Sequence, residues 1–277
     1  MAKSFISDQE LIDEFLEKHN KKISDENGLD LYYCNIEEFP IYLCSLSNLR
    51  KLNINDNNLE SLPETIGELL NLQELYICNN ELKTLPESIG QLSDLQRLSI
   101  RYNNLISLPD SIGQLSSLEY LGISDTGLKT LPESIGQLLN LQELLAINNS
   151  LESLPESING LSSLQVLCVY NNNLESLEPL FGSNNISQSN VFSGKTNLSS
   201  LRLISASCNN LESLPESICN LSRLEILWIS NNKLESLPES IGELSSLQKL
   251  SVSNNNLSEK YKEEIRQQLS FISELKI

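Results

Sequence analysis

Residues 85–107 read LPESIGQLSDLQRLSIRYNNLIS, and variants of this pattern return along the chain from about residue 49 to residue 257. An asparagine marks each copy except where Thr126 takes its place and in a degenerate first unit, where Cys34 does, and the step between markers is 23 residues except once, between Asn172 and Asn209, where it is 37. The marker positions are Asn57, Asn80, Asn103, Thr126, Asn149, Asn172, Asn209, Asn232 and Asn255. Self-similarity at a fixed period of this length predicts a solenoid, in which every repeat stacks on its neighbours.

The spacing inside the repeat predicts its local structure. In LxxLxL the last two leucines are two residues apart, so on an extended strand both point into the solenoid while the residues beside them face water. The LPxxI segment returns the chain to the next strand. At the bend, the marker asparagine can satisfy backbone groups, because its amide supplies both donors and an acceptor. Thr126 and Cys34, which stand at marker positions, can do so only in part.

The motif LxxLxLxxNxL followed by LPxxIxxL resembles the leucine-rich-repeat signature. The 23-residue unit is similar to that of the intracellular Ras-related group of leucine-rich-repeat proteins, their plant relatives and bacterial leucine-rich-repeat effectors. The resemblance implies an α/β repeat fold, a curved leucine-rich-repeat solenoid of about ten units with a concave parallel sheet. It also implies a protein-binding scaffold, adaptor or inhibitor, with a host-directed bacterial effector among the candidate roles.

Three segments are expected along the chain. Residues 1–25 form an N-terminal helical cap, 26–257 the solenoid, and 258–277 a C-terminal helical cap, because the end coils would otherwise expose leucine. The apolar positions with helical spacing are Leu11, Ile12, Phe15 and Leu16 in the first cap and Tyr261, Ile265, Leu269, Ile272 and Leu275 in the second. The long step places an insertion at about 178–197, rich in Asn and Ser, which is either a tolerated loop or a second contact surface.

Composition narrows the classes of partner and compartment. Lys plus Arg total 19 against 37 Asp plus Glu, a net charge of −18, which repels nucleic-acid phosphates and anionic membranes. We expect a cytoplasmic monomer, because the sequence shows neither a secretory signal nor an apolar run of about 18 residues, and its six cysteines form no CxxC pair. Delivery into a host cell would apply to a bacterial effector. The recurring return-path glutamates are expected to keep the outer wall soluble; they are Glu64, Glu87, Glu133, Glu156, Glu216 and Glu239.

The residue types that catalysis and metal binding require are scarce. The single histidine, His19, falls in the N-terminal cap, and the sequence has no phosphate-binding loop, HExxH helix or acidic calcium loop. Cys78, Cys168 and Cys208 lie at outward positions, with no basic or histidine neighbour on their own strands to activate a thiol. We therefore predict no catalytic residue, no cofactor and no metal, and a protein that is not an enzyme.

The outward strand positions point to a binding face. Counting the residue just before each marker, they make up about a seventh of the chain, so chance would place about one of the eight tyrosines there, yet six qualify. These are Tyr32, Tyr33, Tyr76, Tyr102, Tyr120 and Tyr170. Tyr and Trp are typical of binding hot spots. The predicted protein-binding residues are Tyr76, Arg97, Arg101, Tyr102, Tyr120, Leu145, Ile147, Val166, Tyr170, Leu203, Ile226 and Trp228.

Two other interpretations stay open. Tyr and Trp favour strands, so the rings could shield one another, and the chain would then be a structural spacer without a concave ligand. An enzyme is the more distant alternative. Neither the partner protein nor the biological process can be deduced from the repeats.

Overall fold

The computed structural model describes residues 6–182 and 197–277, and it shows one open, curved sheet of eleven parallel strands stacked in chain order. The strands are β1 (Gly28–Asp30), β2 (Lys51–Asn53), β3 (Glu74–Tyr76), β4 (Arg97–Ser99), β5 (Tyr120–Gly122), β6 (Glu143–Leu145), β7 (Val166–Cys168), β8 (Leu203–Ser205), β9 (Ile226–Trp228), β10 (Lys249–Ser251) and β11 (Glu274–Lys276). Equivalent residues of neighbouring repeats pair directly, as Leu52 does with Leu75. The solenoid predicted from the repeat is confirmed.

The core is a continuous column of leucine and isoleucine. On β4, Leu98 and the following Ile100 are fully buried, and their equivalents in the other coils share this burial. Each coil closes on itself only partly, so its apolar side chains are covered by the coils above and below. The strands therefore present one fixed set of side chains to the concave side.

Short 3₁₀ helices form the return paths. They span Ile41–Ser45, Glu64–Glu68, Glu87–Gln91, Asp110–Gln114, Glu133–Gln137, Glu156–Gly160, Glu178–Phe181, Glu216–Asn220 and Glu239–Glu243. Most follow a proline, whose fixed φ suits the start of a helical turn and whose missing N–H would have no partner there. Successive helices touch so closely that a Cβ on Gly90 would lie 2.5 Å from the carbonyl oxygen of Ser111.

The return-path glutamates connect neighbouring coils. Glu64 accepts a hydrogen bond from the backbone N–H of Ser88 at 3.1 Å, and Glu133 accepts one from Ser157 at 3.0 Å. Each carboxylate thus satisfies a free N–H at the start of the next 3₁₀ helix, where helical N–H groups have no partner of their own. These side chains therefore stabilise the contact between neighbouring coils, in addition to the solubility that the sequence predicts.

The marker asparagines form the predicted ladder. Asn103 accepts from the N–H of Leu82 at 3.0 Å and donates to the carbonyl oxygens of Ile77 and Ile100, each at 2.8 Å. It therefore joins its own coil to the preceding one. Thr126 donates to the carbonyl oxygen of Ile123 within its own coil at 2.9 Å, and a hydroxyl has no amide group with which to repeat the full set of bonds.

A helix covers the first coil. Helix α1 (Asp8–Lys18) begins with a capping box, in which Ser7 and Glu10 each accept a hydrogen bond from the other's backbone N–H. Ile12 and Phe15 on its inner face are buried in the common core.

The C-terminal segment differs from the expected all-helical cap. Helix α2 (Glu259–Gln268) buries Ile265, but the chain then turns and adds β11 to the sheet. The backbone N–H of Val252 donates to the carbonyl oxygen of Lys276 at 2.7 Å. Strand pairing prevails here because β10 would otherwise leave a row of backbone groups without partners at the edge of the sheet.

The predicted insertion falls mainly outside the described residues, and Phe192 with it. Its first residues, Glu178–Phe181, form the return-path 3₁₀ helix of their coil, and Leu180 is buried like the isoleucine of the other coils. Within the described ranges, none of the helices is long and apolar enough to cross a membrane.

Candidate protein-binding face

The concave side of the sheet carries parallel rows of side chains, one residue from each strand. Row one contains Gly28, Lys51, Glu74, Arg97, Tyr120, Glu143, Val166, Leu203, Ile226, Lys249 and Glu274. Row two contains Asp30, Asn53, Tyr76, Ser99, Gly122, Leu145, Cys168, Ser205, Trp228, Ser251 and Lys276. Row three, two residues beyond row two, includes Arg101, Ile147 and Tyr170. Eleven of the twelve predicted residues lie in these rows, and Leu203 and Ile226 lie beside each other as the repeat predicts.

Tyr102 belongs to a different position, just before the marker asparagine. Its φ is +56°, and the equivalent residue in each of the other coils also adopts the left-handed conformation. These residues are Tyr33, Asp56, Asn79, Tyr102, Asp125, Asn148, Asn171, Cys208, Asn231 and Asn254. Asn and Asp predominate because they tolerate this conformation best among residues other than glycine. The sequence analysis counted Tyr102 with the outward strand positions, whereas its left-handed backbone places it outside the three rows.

The second half of the face carries a contiguous apolar patch on β6 to β9. It consists of Leu145, Ile147, Val166, Cys168, Tyr170, Leu203, Ile226 and Trp228. Val166, Leu203 and Ile226 follow one another in row one on three adjacent strands. Tyr170 is 39% exposed and Trp228 37%, while the aliphatic members are partly exposed. Apolar side chains left uncovered in a group are typical of an interaction surface.

The first half of the face is polar and its side chains contact one another. Lys51 forms an ion pair with Glu74 at 2.8 Å and lies 5.3 Å from the centre of the Tyr76 ring. The Tyr76 hydroxyl donates to Glu74 at 3.0 Å, and burial, with this bond as a lesser cause, raises the pKa of that hydroxyl. Tyr76 therefore contacts side chains of its own sheet, as the shielding interpretation predicts.

Tyr120 behaves in the same way. Its hydroxyl lies over Gly122, where an added Cβ would be only 2.8 Å away, and the guanidinium of Arg97 lies 4.5 Å from its ring centre. Because Gly122 has no side chain, it leaves space in row two for the Tyr120 ring. Part of the Tyr120 side chain thus packs against its own sheet, whereas Tyr170 and Trp228 are exposed and accessible to a partner protein.

Burial shifts the pKa of Cys168 and of His19. Burial, and to a lesser extent Glu143, raises the pKa of Cys168 to about 11, so the thiol stays protonated at neutral pH. Burial lowers the pKa of His19, which closes α1 with its ring 4.5 Å from that of Phe15. Within residues 6–182 and 197–277, His, Cys, Asp and Glu form no group of three or more that could hold a metal ion.

Comparisons with known proteins agree with this architecture. A family model described as "Leucine-rich repeat region" matches residues 29–120 and 110–192, and one described as "Leucine rich repeat" matches 197–257. No curated protein matches the chain in sequence.

Solved structures of similar fold come from plants and bacteria. The plant peptide hormone receptor RGFR1, solved in complex with RGF2, is 27% identical over 79% of this chain and 42% of its own, with a TM-score of 0.52. A TDR receptor is 28% identical over 83% and 43%, with a TM-score of 0.61. The functional domain of InlJ from Listeria monocytogenes is 22% identical over 90% and 48%, with a TM-score of 0.68. The chain spans less than half the length of each of these proteins.

Proposed function

The chain belongs to the leucine-rich-repeat family, and from that premise we propose that it is a non-catalytic scaffold that binds a partner protein through the concave face of its sheet. The family's solenoid serves in general as a protein-interaction scaffold. The plant receptor RGFR1 was solved in complex with RGF2, which supports a protein or peptide ligand for a chain of this fold. Action in the cytoplasm, and an effector role in a host cell, stay predictions from the sequence.

The apolar patch on β6 to β9 is the observation that carries this proposal. A side chain used only to shield its own sheet would contact its neighbours, as Tyr76 and Tyr120 do, and both of these are only partly exposed. Tyr170 and Trp228 instead keep more than a third of their surface open beside partly exposed aliphatic residues. Rigid aromatic rings with a polar atom, surrounded by aliphatic groups, match the composition of interface cores.

A triple variant tests the patch directly. Ile226→Ser, Tyr170→Ala and Trp228→Ala together remove its two exposed rings and one partly exposed aliphatic member, while the inward leucines that hold the coils are unchanged. We expect the wild-type chain to capture specific proteins from a lysate of its source organism, identified by mass spectrometry, and the variant to lose them. Thermal unfolding of the two proteins should differ little, because partly exposed side chains contribute little to folding.

A matched control separates this effect from a general loss of surface hydrophobicity. Leu70, Ile106 and Leu139 are 55%, 73% and 57% exposed and lie off the concave strands. Replacing all three with serine should leave capture intact. If the patch variant captured the same proteins as the wild type, the concave binding site would be refuted. If the wild type captured nothing specific, the spacer interpretation would be favoured.

A further inference from the structure

Strand β4 and its extension carry two arginines that form no ion pair within the part of the chain that the structure describes. Arg97 lies in row one and Arg101 in row three, both on the concave side. Among the residues that the structure describes, neither guanidinium lies within 4.0 Å of a carboxylate, although the chain has 37 acidic residues. The missing partners are therefore not explained by a shortage of acidic groups.

Two carboxylates on the coils beside β4, Glu74 in row one and Asp125 at the position before the marker, already have partners in this chain. Glu74 on the preceding strand is paired with Lys51 at 2.8 Å. Asp125 on the following coil accepts a hydrogen bond from the side-chain amide of Asn148 at 2.9 Å. Arg97 is only the last of the causes that lower the pKa of Glu74, after its bond to Lys51. Because neither acid forms an ion pair with a β4 arginine, both guanidinium groups can pair with an acidic group of a partner protein.

Tyrosine rings orient both guanidinium groups. Arg97 lies 4.5 Å from the centre of the Tyr120 ring, and Arg101 lies 5.4 Å from that of Tyr102. A guanidinium stacked on a ring keeps its N–H groups in the plane at its edge, where they can bind both oxygens of a carboxylate. Such an arrangement fixes the direction from which an acidic group would approach.

Two local features indicate that this arrangement is specific. The Nε of Arg101 is buried and has no hydrogen-bond partner among the described residues, an uncommon condition for a charged donor. Tyr102, which lies against it, occupies a left-handed position that in most coils belongs to Asn or Asp. A bulky residue in that conformation is unfavourable and is often found where function requires it.

We propose that β4 binds an acidic segment of the partner protein, while the apolar patch binds hydrophobic side chains of the same segment. The proposal rests on the concave-face function and adds the chemistry of the partner. Strands β4 and β7 are three strands apart, about 14 Å at the usual spacing. A peptide of a few residues can therefore place a carboxylate over Arg97 and an apolar side chain over Val166.

A random peptide library displayed on phage, selected against the intact protein, provides the probe. We expect the enriched sequences to combine Asp or Glu with large apolar residues. The selected peptides are then titrated against wild type, against Arg97→Gln/Arg101→Gln, and against Arg202→Gln/Arg223→Gln. The last variant removes the same charge from two exposed arginines at the edge of the solenoid, outside the three rows.

Loss of the β4 arginines should weaken binding by at least about tenfold, as expected for the removal of charge-assisted hydrogen bonds, and the control pair should change it far less. Added salt should weaken wild-type binding more than binding to the β4 variant. The arginine Nε–Hε signal of Arg101 in NMR spectra should shift when a selected peptide is added. A merely structural arginine would show neither the salt dependence nor the shift.

The other outcomes separate this proposal from the concave-face function. Peptides without acidic residues, or peptides that bind the β4 variant as tightly as wild type yet need Trp228, would overturn the acidic-segment proposal and leave the concave function standing. Peptides that are insensitive to both the β4 variant and the patch variant would count against both. A library that returns no binder would also overturn the acidic-segment proposal, because one short segment should suffice.

Discussion

Gly90 lies where two return-path helices touch, and replacing it with alanine should force two coils apart. The new Cβ would lie 2.5 Å from the carbonyl oxygen of Ser111 and 2.8 Å from the Cβ of the same residue. Ordinary contacts between such atoms begin at about 3.5 Å, so the coils must separate by roughly 1 Å. The neighbouring Ile89 and Ile112 are fully buried, and the separation therefore disturbs packed core.

The size of the effect follows from two opposing contributions. Forcing an extra methyl group into a packed site typically costs about 1–3 kcal/mol. Replacing glycine with alanine also restricts the unfolded chain, which restores about 0.4–1 kcal/mol. We therefore expect the free energy of unfolding to fall by about 1–2 kcal/mol, which corresponds to a decrease of about 2–8 °C in the melting temperature of a chain of this size.

Thermal and urea unfolding followed by circular dichroism measure this loss, and Gly242→Ala is the matched control. Gly242 occupies the same position in the last repeat, where the nearest atom to a new Cβ is the flexible side-chain amide of Gln268 at 3.2 Å. The control should change stability by no more than about 0.5 kcal/mol. Equal losses at both positions, or none at Gly90, would refute the claim that contact with the next coil requires glycine.

Thr126→Asn should raise the free energy of unfolding by about 0.5–1.5 kcal/mol, because an amide there can accept from the buried N–H of Leu105; an unchanged urea midpoint would contradict this account of the ladder. Glu133→Gln should reduce acid sensitivity: the hydroxyl of Ser157 and, less strongly, its N–H lower the pKa of Glu133 from 4.5, so its stabilisation is present above that value and is lost as pH falls through the lowered folded pKa. Unfolding curves of the two proteins from pH 7 to 3 measure the difference. An equal loss of stability in both would contradict a stabilising role for the Glu133–Ser157 hydrogen bond. Cys168, with its pKa raised to about 11, should react with iodoacetamide at pH 7.5 at least about tenfold more slowly than free cysteine; labelling as fast as free cysteine, detected by mass spectrometry, would contradict its burial.

The repeat alone predicts the architecture, because each part of it has a direct physical meaning. A spacing of two between Leu98 and Ile100 places both inside, and the marker at Asn103 meets the backbone groups of the bend. The structure confirms these roles. The expectation of a helical C-terminal cap is met by α2 but is wrong for residues 274–276. These residues pair with the open edge of the sheet, which their helical spacing does not indicate.

The candidate face could be predicted only in part. Counting outward positions located eleven of the twelve residues in the three rows, but it treated Tyr120 and Tyr170 alike. In the structure Tyr120 lies over a glycine of its own strand, whereas Tyr170 remains exposed. The pattern reports which side of a strand a residue faces, and it carries no information about which neighbour its side chain will touch.

The sequence by itself thus determined the period, the inward and outward positions, the marker ladder and the family, because these follow from spacing along one strand or one coil. Only the tertiary structure decided how closely the coils approach at Gly90, which carboxylates hold the next coil, and which side chains of the concave face stay open to a partner. Those features depend on distances and rotamers between residues about one repeat apart, and they take shape only after the coils have stacked.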